Sequence, residues 1–376
     1  MKESALYIHI PFCDHKCIYC DFYSIITSDN ITPFLHSVKK EISVYSKIYS
    51  HDRIFTSIFF GGGTPSLMQP EYIGEIIQWL RKSFIVSDDC EITLETNPGT
   101  VNSEKLKSFI QQGINRISIG IQSFDETDLK FLTRIHDKQT AIDTVLNAFH
   151  AGIENINIDL IFNLPGQTKE KWLDNLKTAV SLPVKHISAY SLILERGTIL
   201  NKLVLDKKVV MQDDDYDAEL YELTMNFLEA QEFIQYEVSN FCKEGFECRH
   251  NNAYWHYKDY ISFGPSAHSF ANGKRWWNYS SLKKYISEIE QSGKAAAGSE
   301  ILTDEQKFNE YVMLALRSSG IDLIEFENLF GRSWLNNRYD YFVELQKKNL
   351  ISINEKKIYL TKNGYAVCDE ILSKIL

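Results

Sequence analysis

Over its first two hundred or so residues the chain alternates short, Ile-rich apolar runs with longer amphipathic stretches. Residues 6–10, 57–60, 91–95, 116–121, 155–161 and 185–191 have the length and side chains of strands. Residues 33–49, 70–82, 103–112, 140–151 and 169–181, lying between them, carry a helical period. Asn102 and Thr168 stand as N-caps at two of the helix starts. Six strands alternating with helices need crossover connections, so the fold class is α/β with a parallel sheet. A partial or complete α/β barrel and a doubly wound sheet both satisfy that pattern. The chain's motifs fall where strands end, which in a barrel is the face that carries active sites.

The rhythm changes near residue 213. Residues 213–231 read as a long helix and 233–238 as a strand, while 239–280 are aromatic, His-containing and poor in helical signals. Helical patterns at 304–318, 323–330 and 336–348, strands at 351–353 and 357–360 joined as a hairpin, and a last helix at 362–375 suggest a small winged-helix-like α+β module. Its aromatics Trp334, Tyr339, Tyr341 and Phe342 read as core. With 44% hydrophobic and 13% aromatic residues, the 376-residue chain can bury a sizeable core, which excludes wholesale disorder. A formal charge of −10 argues against a general nucleic-acid binder. Residues 336–362 hold six Lys/Arg against three Asp/Glu, a slight excess for a phosphate-binding face. No apolar run reaches the 18 residues of a membrane span. Residues 1–12, with Glu3, His9 and Pro11, resemble neither a signal nor a transit peptide. The expectation is a cytoplasmic chain with at most peripheral membrane contact and no nucleic-acid partner.

Seven cysteines are unevenly placed. Cys13, Cys17 and Cys20 crowd onto one loop directly after the first strand, spaced Cys-x3-Cys-x2-Cys. Soft thiolates suit iron–sulfur clusters. Three on one loop can hold three corners of a [4Fe–4S] cubane and leave the fourth iron open to a small molecule. Zinc competes, but a closed structural site needs four ligands, and His15 is a poorly placed fourth. Cys242 and Cys248, spaced Cys-x5-Cys before His250, read as small apolar residues rather than ligands, and Cys90 and Cys368 as packing.

Further motifs sit at successive strand ends. Strand two runs into Gly61-Gly62-Gly63-Thr64-Pro65-Ser66, a turn whose backbone N–H groups can approach a ligand closely. Strand three ends at Glu95, strand four at Gln122 in Gln122-Ser123-Phe124, and Arg134 follows; strand five contains Asp159 among apolar residues. Taken singly, each could be an ordinary salt bridge or cap; their repeated strand-end position points to a ligand.

The cysteine spacing after strand one of an α/β chain, followed by the Gly-rich turn after strand two, resembles the radical S-adenosylmethionine (SAM) superfamily. That resemblance implies a partial (β/α)6 barrel, a [4Fe–4S] cluster on Cys13, Cys17 and Cys20, and SAM chelating the open iron, where an electron from the cluster cleaves it to a 5′-deoxyadenosyl radical. Tyr7-Ile8-His9-Ile10-Pro11-Phe12-Cys13, residues 61–66, Gln122-Ser123-Phe124 and Asp159-Leu160-Ile161 together look like the branch holding oxygen-independent coproporphyrinogen III oxidases and HemW-type haem chaperones. By that likeness Tyr7, Gly62, Gly63, Thr64, Glu95, Gln122, Arg134 and Asp159 occupy SAM-contacting positions. Tyr19 occupies the place that contacts a second SAM in the oxidase.

Two departures separate the chain from the oxidase pattern. Phe22 stands where the oxidase has a fourth cysteine, and only twelve residues precede Cys13 where the oxidase has a long extension. His250-Asn251-Asn252-Ala253-Tyr254-Trp255 is similar to the His-Asn-x-x-Tyr-Trp motif implicated in haem binding by the chaperones. It implies His250 as a candidate axial ligand, with Tyr254 and Trp255 packing on the porphyrin; His268 reads rather as a satisfied loop histidine. The division implied is residues 1–235 barrel, 236–300 connecting segment with the haem motif, and 301–376 winged-helix-like module. The function implied is delivery of haem to apo-haemoproteins such as respiratory enzymes, with a homodimer left open and coproporphyrinogen decarboxylation, or radical SAM chemistry on another substrate, as the enzymatic alternatives.

Overall fold

Six strands run parallel and in chain order: β1 (Lys2–Ile10), β2 (Arg53–Gly62), β3 (Val86–Thr96), β4 (Arg116–Gln122), β5 (Asn155–Phe162) and β6 (His186–Ser191). The connections carry α1 (Ile31–Tyr49), α2 (Pro70–Ser83), α3 (Ser103–Gln111), α4 (Glu126–Phe131), α5 (Lys138–Ala151) and α6 (Lys169–Ser181). The computed structural model describes residues 1–27, 29–331 and 333–376. Strand order without reversal excludes the doubly wound alternative, whose order turns back at a switch point. The outer neighbour of β1 is the later strand Asp259–Phe263 and that of β6 is Asn240–Cys242, so the barrel is open, a partial (β/α)6 barrel. Asn102 and Thr168 cap α3 and α6 as expected, accepting from the N–H groups of Lys105 (2.8 Å) and Lys171 (3.3 Å). The six-residue α4 is too short to show a period and was not foreseen; Asp125 caps it.

The strands are less uniformly apolar than their Ile content suggests. Ile58, Ile92, Leu94, Ile117, Ile119, Ile156, Ile158 and Ile187 pack in the main core. Alternate positions, among them Arg116, Ser118, Asn157, Asp159 and Ser188, face an interior cavity. Because side chains alternate along a strand, a polar barrel interior and an apolar helix-facing layer coexist in one short segment.

The second half lengthens the sheet. It contains α7 (Ile199–Leu205), α8 (Asp214–Ala230), β7 (Ile234–Gln235), β8 (Asn240–Cys242), α9 (Arg249–Trp255), β9 (Asp259–Phe263), β10 (His268–Ala271), β11 (Lys274–Asn278), α10 (Leu282–Ser292) and β12 (Ala296–Ile301). The strand expected at 233–238 is only the two-residue β7, which pairs antiparallel with β8 beyond it. Residues 239–280 hold four strands of the extended sheet, β8 to β11, and the two-turn α9. β9 joins β1 in parallel, and β10–β12 continue antiparallel to complete a twelve-stranded sheet.

Residues 304–375 form α11 (Asp304–Leu316), β13 (Ile321–Asp322), α12 (Leu323–Phe330), α13 (Ser333–Asn337), α14 (Tyr339–Lys347), β14 (Ile351–Ile353), β15 (Lys357–Leu360), α15 (Lys362–Ala366) and α16 (Cys368–Ile375). A three-stranded sheet, ordered β13–β15–β14, packs with a separate core that includes Val312, Ile321, Phe326, Phe342 and Ile371. The helix expected over 336–348 is two pieces, and the last helix breaks at Val367, whose φ is −123°. Trp334 packs on Phe342, whereas Tyr339 is 65% exposed and does not belong to the core. Among the described residues no helix is long and apolar enough to cross a membrane.

Candidate functional site

The C-terminal ends of β1–β6 open into a cavity of about 640 Å³. Cys13, Cys17, Cys20, Tyr7, Tyr19, Gly62, Gly63, Glu95, Gln122, Arg134, Asp159 and His250 all line it. Thr64, the remaining residue singled out in the sequence, lies just behind. It is buried, with Oγ1 3.2 Å from the Cys13 sulfur and 2.8 Å from Asn97 Nδ2, which donates to it.

The cysteine loop is pinned along its length. Cys13 N donates to Ile25 O (3.0 Å), Ile18 N to Thr133 Oγ1 (3.3 Å), and Leu200 N at the start of α7 to Ile18 O (2.9 Å). All three thiols are free. Burial pushes the Cys20 thiol up to about 11, so loading with a metal must expel its proton. Among the described residues no three His, Cys, Asp or Glu side chains converge as on a single ion. His15 turns away to Thr133 Oγ1 at 3.3 Å. In a cubane each thiolate would take a different iron, so the three sulfurs need not meet at one point. The Arg134 guanidinium supplies a cation beside this set, with Nη1 3.4 Å from the Cys17 sulfur. Its Nε is buried without a partner, a donor left over for a ligand.

The Gly-rich turn works differently from the sequence expectation. Its N–H groups are taken: Gly62 N donates to Glu95 Oε2 (3.1 Å), Gly63 N to Ile10 O (2.7 Å) and Thr64 N to Phe12 O (2.7 Å). The turn therefore clamps the chain entering the cysteine loop. What it can still offer a ligand is carbonyl oxygen, an acceptor suited to an ammonium group. Gly62 has φ +108°, and a Cβ there would stand 2.6 Å from the His9 ring, so glycine is required on both counts.

Around the cavity the strand ends present opposite charges. Glu95 on β3 is held up to about 8, first by burial and then by the nearby Asp159 charge. Burial also raises Asp159, although Ser118 Oγ (3.1 Å) and Asn157 Nδ2 (2.8 Å) donate to it. Arg134 Nη2 donates to Asn97 Oδ1 (2.8 Å) and Gly120 O (2.6 Å), so Arg134 is rigid. Gln122 adopts φ +71° at a register shift between β4 and β5. A bulge at a strand end re-aims a side chain, and here it turns the amide into the cavity. Such strained positions cluster at functional sites.

His250 sits on α9 at the inner wall and is 2% exposed. Its Nδ1 is 3.1 Å from Ser57 Oγ and its Nε2 3.0 Å from the Tyr254 hydroxyl. The ring stacks on Phe59 at 4.9 Å. Burial lowers its pKa to about 3, so it is neutral. In this arrangement neither ring nitrogen is free for an axial bond. Tyr254 lines the cavity beside it, Trp255 is not among the lining residues, and the exposed His268 stacks on Trp277. Cys242, Cys248, Cys90 and Cys368 are buried; Cys248 Sγ donates to Glu91 Oε1 at 3.6 Å, and among the described residues none of the four belongs to a group of three or more potential metal ligands.

Sequence reasoning missed Asn97, Ser118, Asn157, Ser188 and His186, the polar layer holding the carboxylates. Their signal was the strict alternation in Asn155-Ile156-Asn157-Ile158-Asp159 and His186-Ile187-Ser188-Ala189.

Comparison with known proteins adds the following. Residues 7–179 match the radical SAM superfamily model and residues 302–367 the HemN C-terminal domain model. The chain is 34% identical to the "Heme chaperone HemW" of Bacillus subtilis over 99% of both chains. It is 31% identical to that of Lactococcus lactis, over 100% of this chain and 98% of the other. It is 34% identical to zebrafish (Danio rerio) "Radical S-adenosyl methionine domain-containing protein 1, mitochondrial", over 100% and 87%. Among solved structures, coproporphyrinogen III oxidase (HemN) from Escherichia coli superposes with a TM-score of 0.83 at 22% identity, covering 100% of this chain and 90% of that one, a likeness of fold.

Proposed function

The chain belongs to the HemW heme chaperone family within the radical SAM superfamily, and from that premise we propose that it binds haem and delivers it to apo-haemoproteins such as respiratory enzymes, acting in the cytoplasm. In this reading Cys13, Cys17 and Cys20 hold a [4Fe–4S] cluster and SAM occupies the cleft. The observation that carries it is the opening of three free thiols from one loop onto the same cavity as Glu95, Gln122, Arg134 and Asp159.

A bound cluster supplies one iron without a protein thiolate, and an electron. The chain's own residues do the rest. Arg134 sets a positive charge against the thiolates. The turn at Gly62 and Gly63 and the Glu95 carboxylate receive donors such as an amine. Asp159 accepts from a hydroxyl, and Gln122 offers both donor and acceptor. On the haem side, α9 presents Tyr254 to the cavity, and His250 fixes that hydroxyl. His250 therefore serves haem as a positioning group in this arrangement; direct iron ligation through Nε2 requires the Tyr254 hydroxyl to leave. The exposed Phe22 and Ile193, both at the cavity wall, supply apolar surface suited to a porphyrin.

The test is anaerobic reconstitution, followed by haem titration and transfer to an apo-cytochrome. A Soret band that appears on this chain and moves to the acceptor supports the reading. Absence of binding at micromolar haem sinks it.

A further inference from the structure

Beneath the cavity one imidazole is bonded on both sides. His186 on β6 is fully buried, with Nδ1 2.6 Å from Asn157 Oδ1 and Nε2 2.8 Å from the Tyr236 hydroxyl. Strand register brings the partners together: Ser118, Asn157 and His186 are paired neighbours on β4, β5 and β6, and Asp159 pairs with Ser188 on the same inward face.

The direction of every bond follows from which groups can donate. An ionised carboxylate only accepts, so Asn157 turns Nδ2 toward Asp159 Oδ1, 2.8 Å away. Asn157 Oδ1 is then an acceptor, and the His186 proton sits on Nδ1. Nε2 accepts in turn, so Tyr236 donates to it. The Tyr236 oxygen accepts from the N–H of Cys248 at 3.3 Å, and Cys248 is the N-cap of α9. The bonds thus run one way, from the start of α9 through Tyr236, His186 and Asn157 to Asp159. Burial pushes His186 well below the usual imidazole range, as a neutral link of this kind requires.

We infer that His186 is a positioning residue shared by two parts of the cavity: through Asn157 it orients the Asp159 carboxylate, and through Tyr236 it seats the first turn of α9, the helix that carries His250 and Tyr254. The chain of bonds stands on geometry alone; setting SAM at one end and haem at the other rests on the function proposed above.

Three variants of the reconstituted full chain test it. Tyr236→Phe cuts the chain on the α9 side, His186→Leu cuts both sides, and His186→Gln keeps one donor and one acceptor. Hydrogen exchange of the α9 amides is read without added ligand; SAM affinity is read by equilibrium dialysis and haem affinity from the Soret band. His186→Leu should speed α9 exchange and weaken SAM and haem each by about tenfold, the effect of one buried hydrogen bond at either end. Tyr236→Phe should speed exchange and weaken haem similarly while leaving SAM within about twofold. His186→Gln should restore part of the SAM affinity. Unchanged exchange in Tyr236→Phe overturns the inference, as does a loss of SAM affinity there equal to that of His186→Leu. If the unsubstituted chain binds neither ligand while the exchange pattern holds, the proposed function fails and the positioning role survives. Should His186→Leu not fold, Tyr236→Phe still decides by itself: unchanged α9 exchange, or SAM affinity weakened by about tenfold, overturns the inference.

Discussion

Gly63→Ala isolates the clamp between the Gly-rich turn and the cysteine loop. A Cβ at Gly63 would stand 2.5 Å from the Phe12 oxygen and 2.9 Å from the Ile10 oxygen. Those two carbonyls are the acceptors for Thr64 N and Gly63 N. Both are backbone, so neither can swing aside. Ordinary contact begins at 3.4 Å, so the chain at Phe12 must retreat by about 0.9 Å, close to the displacement that forfeits a packed contact. Loss of two hydrogen bonds of about 1 kcal/mol each, with overpacking of about 1 kcal/mol or more, gives a destabilisation of about 3 kcal/mol. A fold of ordinary stability survives that, but Cys13 follows Phe12 directly and moves with it. Urea unfolding of the cluster-free chain should show the stability loss, and iron and sulfide assays after reconstitution should show reduced loading. Gly166→Ala is the control. It has φ +74° and open space at the Cβ, so it should cost only about 1 kcal/mol of backbone strain and leave loading intact. A Gly63→Ala protein within about 0.5 kcal/mol of the original, with full iron content, would refute the clamp.

Four further outcomes follow from the cavity. Because Glu95 is held up to about 8 rather than at its ordinary 4.5, a ligand that needs the carboxylate should bind about tenfold more tightly per pH unit from pH 6 to 8 and then level off. Equilibrium dialysis with SAM checks this, and a flat profile, or one that Glu95→Gln leaves unaltered, contradicts it. The same raised pKa means the ligand-free fold binds a proton that the unfolded chain releases, so Glu95 makes stability fall as pH rises from about 4.5 through about 8; thermal melts of Glu95→Gln should lack that component. His250→Ala and Tyr254→Phe should each weaken haem binding by about tenfold through loss of their shared bond, whereas a Soret maximum that moves in His250→Ala alone identifies the imidazole as an iron ligand. With Phe22 in place of a fourth cysteine, anaerobic incubation with SAM and coproporphyrinogen III should yield no protoporphyrinogen by chromatography; turnover above a cluster-free control reinstates the oxidase.

What the sequence made legible was local. The cysteine loop, the Gly-rich turn and the N-caps Asn102 and Thr168 each lie within a few consecutive residues, and the six strand–helix repeats set the barrel. The roles of the turn's N–H groups were hidden because their acceptors, Ile10 and Phe12, lie some fifty residues away. The β9–β12 extension was hidden for a related reason: β9 has five residues and is a strand because β1 pairs with it. The polar layer at Ser118, Asn157 and His186 was visible as alternation, yet the intervening Ile residues dominated the pattern. Tyr339 misled because aromatic content alone does not tell which side of a short helix faces the core.

The pairing of β1 with both β2 and β9 has a consequence for how the chain is made. β1 leaves the ribosome well ahead of its second neighbour, Asp259–Phe263, which is about 250 residues later. At ordinary translation speeds of about 5–20 residues per second, one edge of β1 stays open for about 12–50 s. The turn after β9 also finishes the wall behind His9, since Gly264 packs so closely that a Cβ there would lie 2.5 Å from the His9 oxygen. The nascent chain therefore carries its three thiols beside a wall that stays incomplete until Gly264 is made. A nascent chain stalled before residue 259 should be the species that holdase chaperones protect.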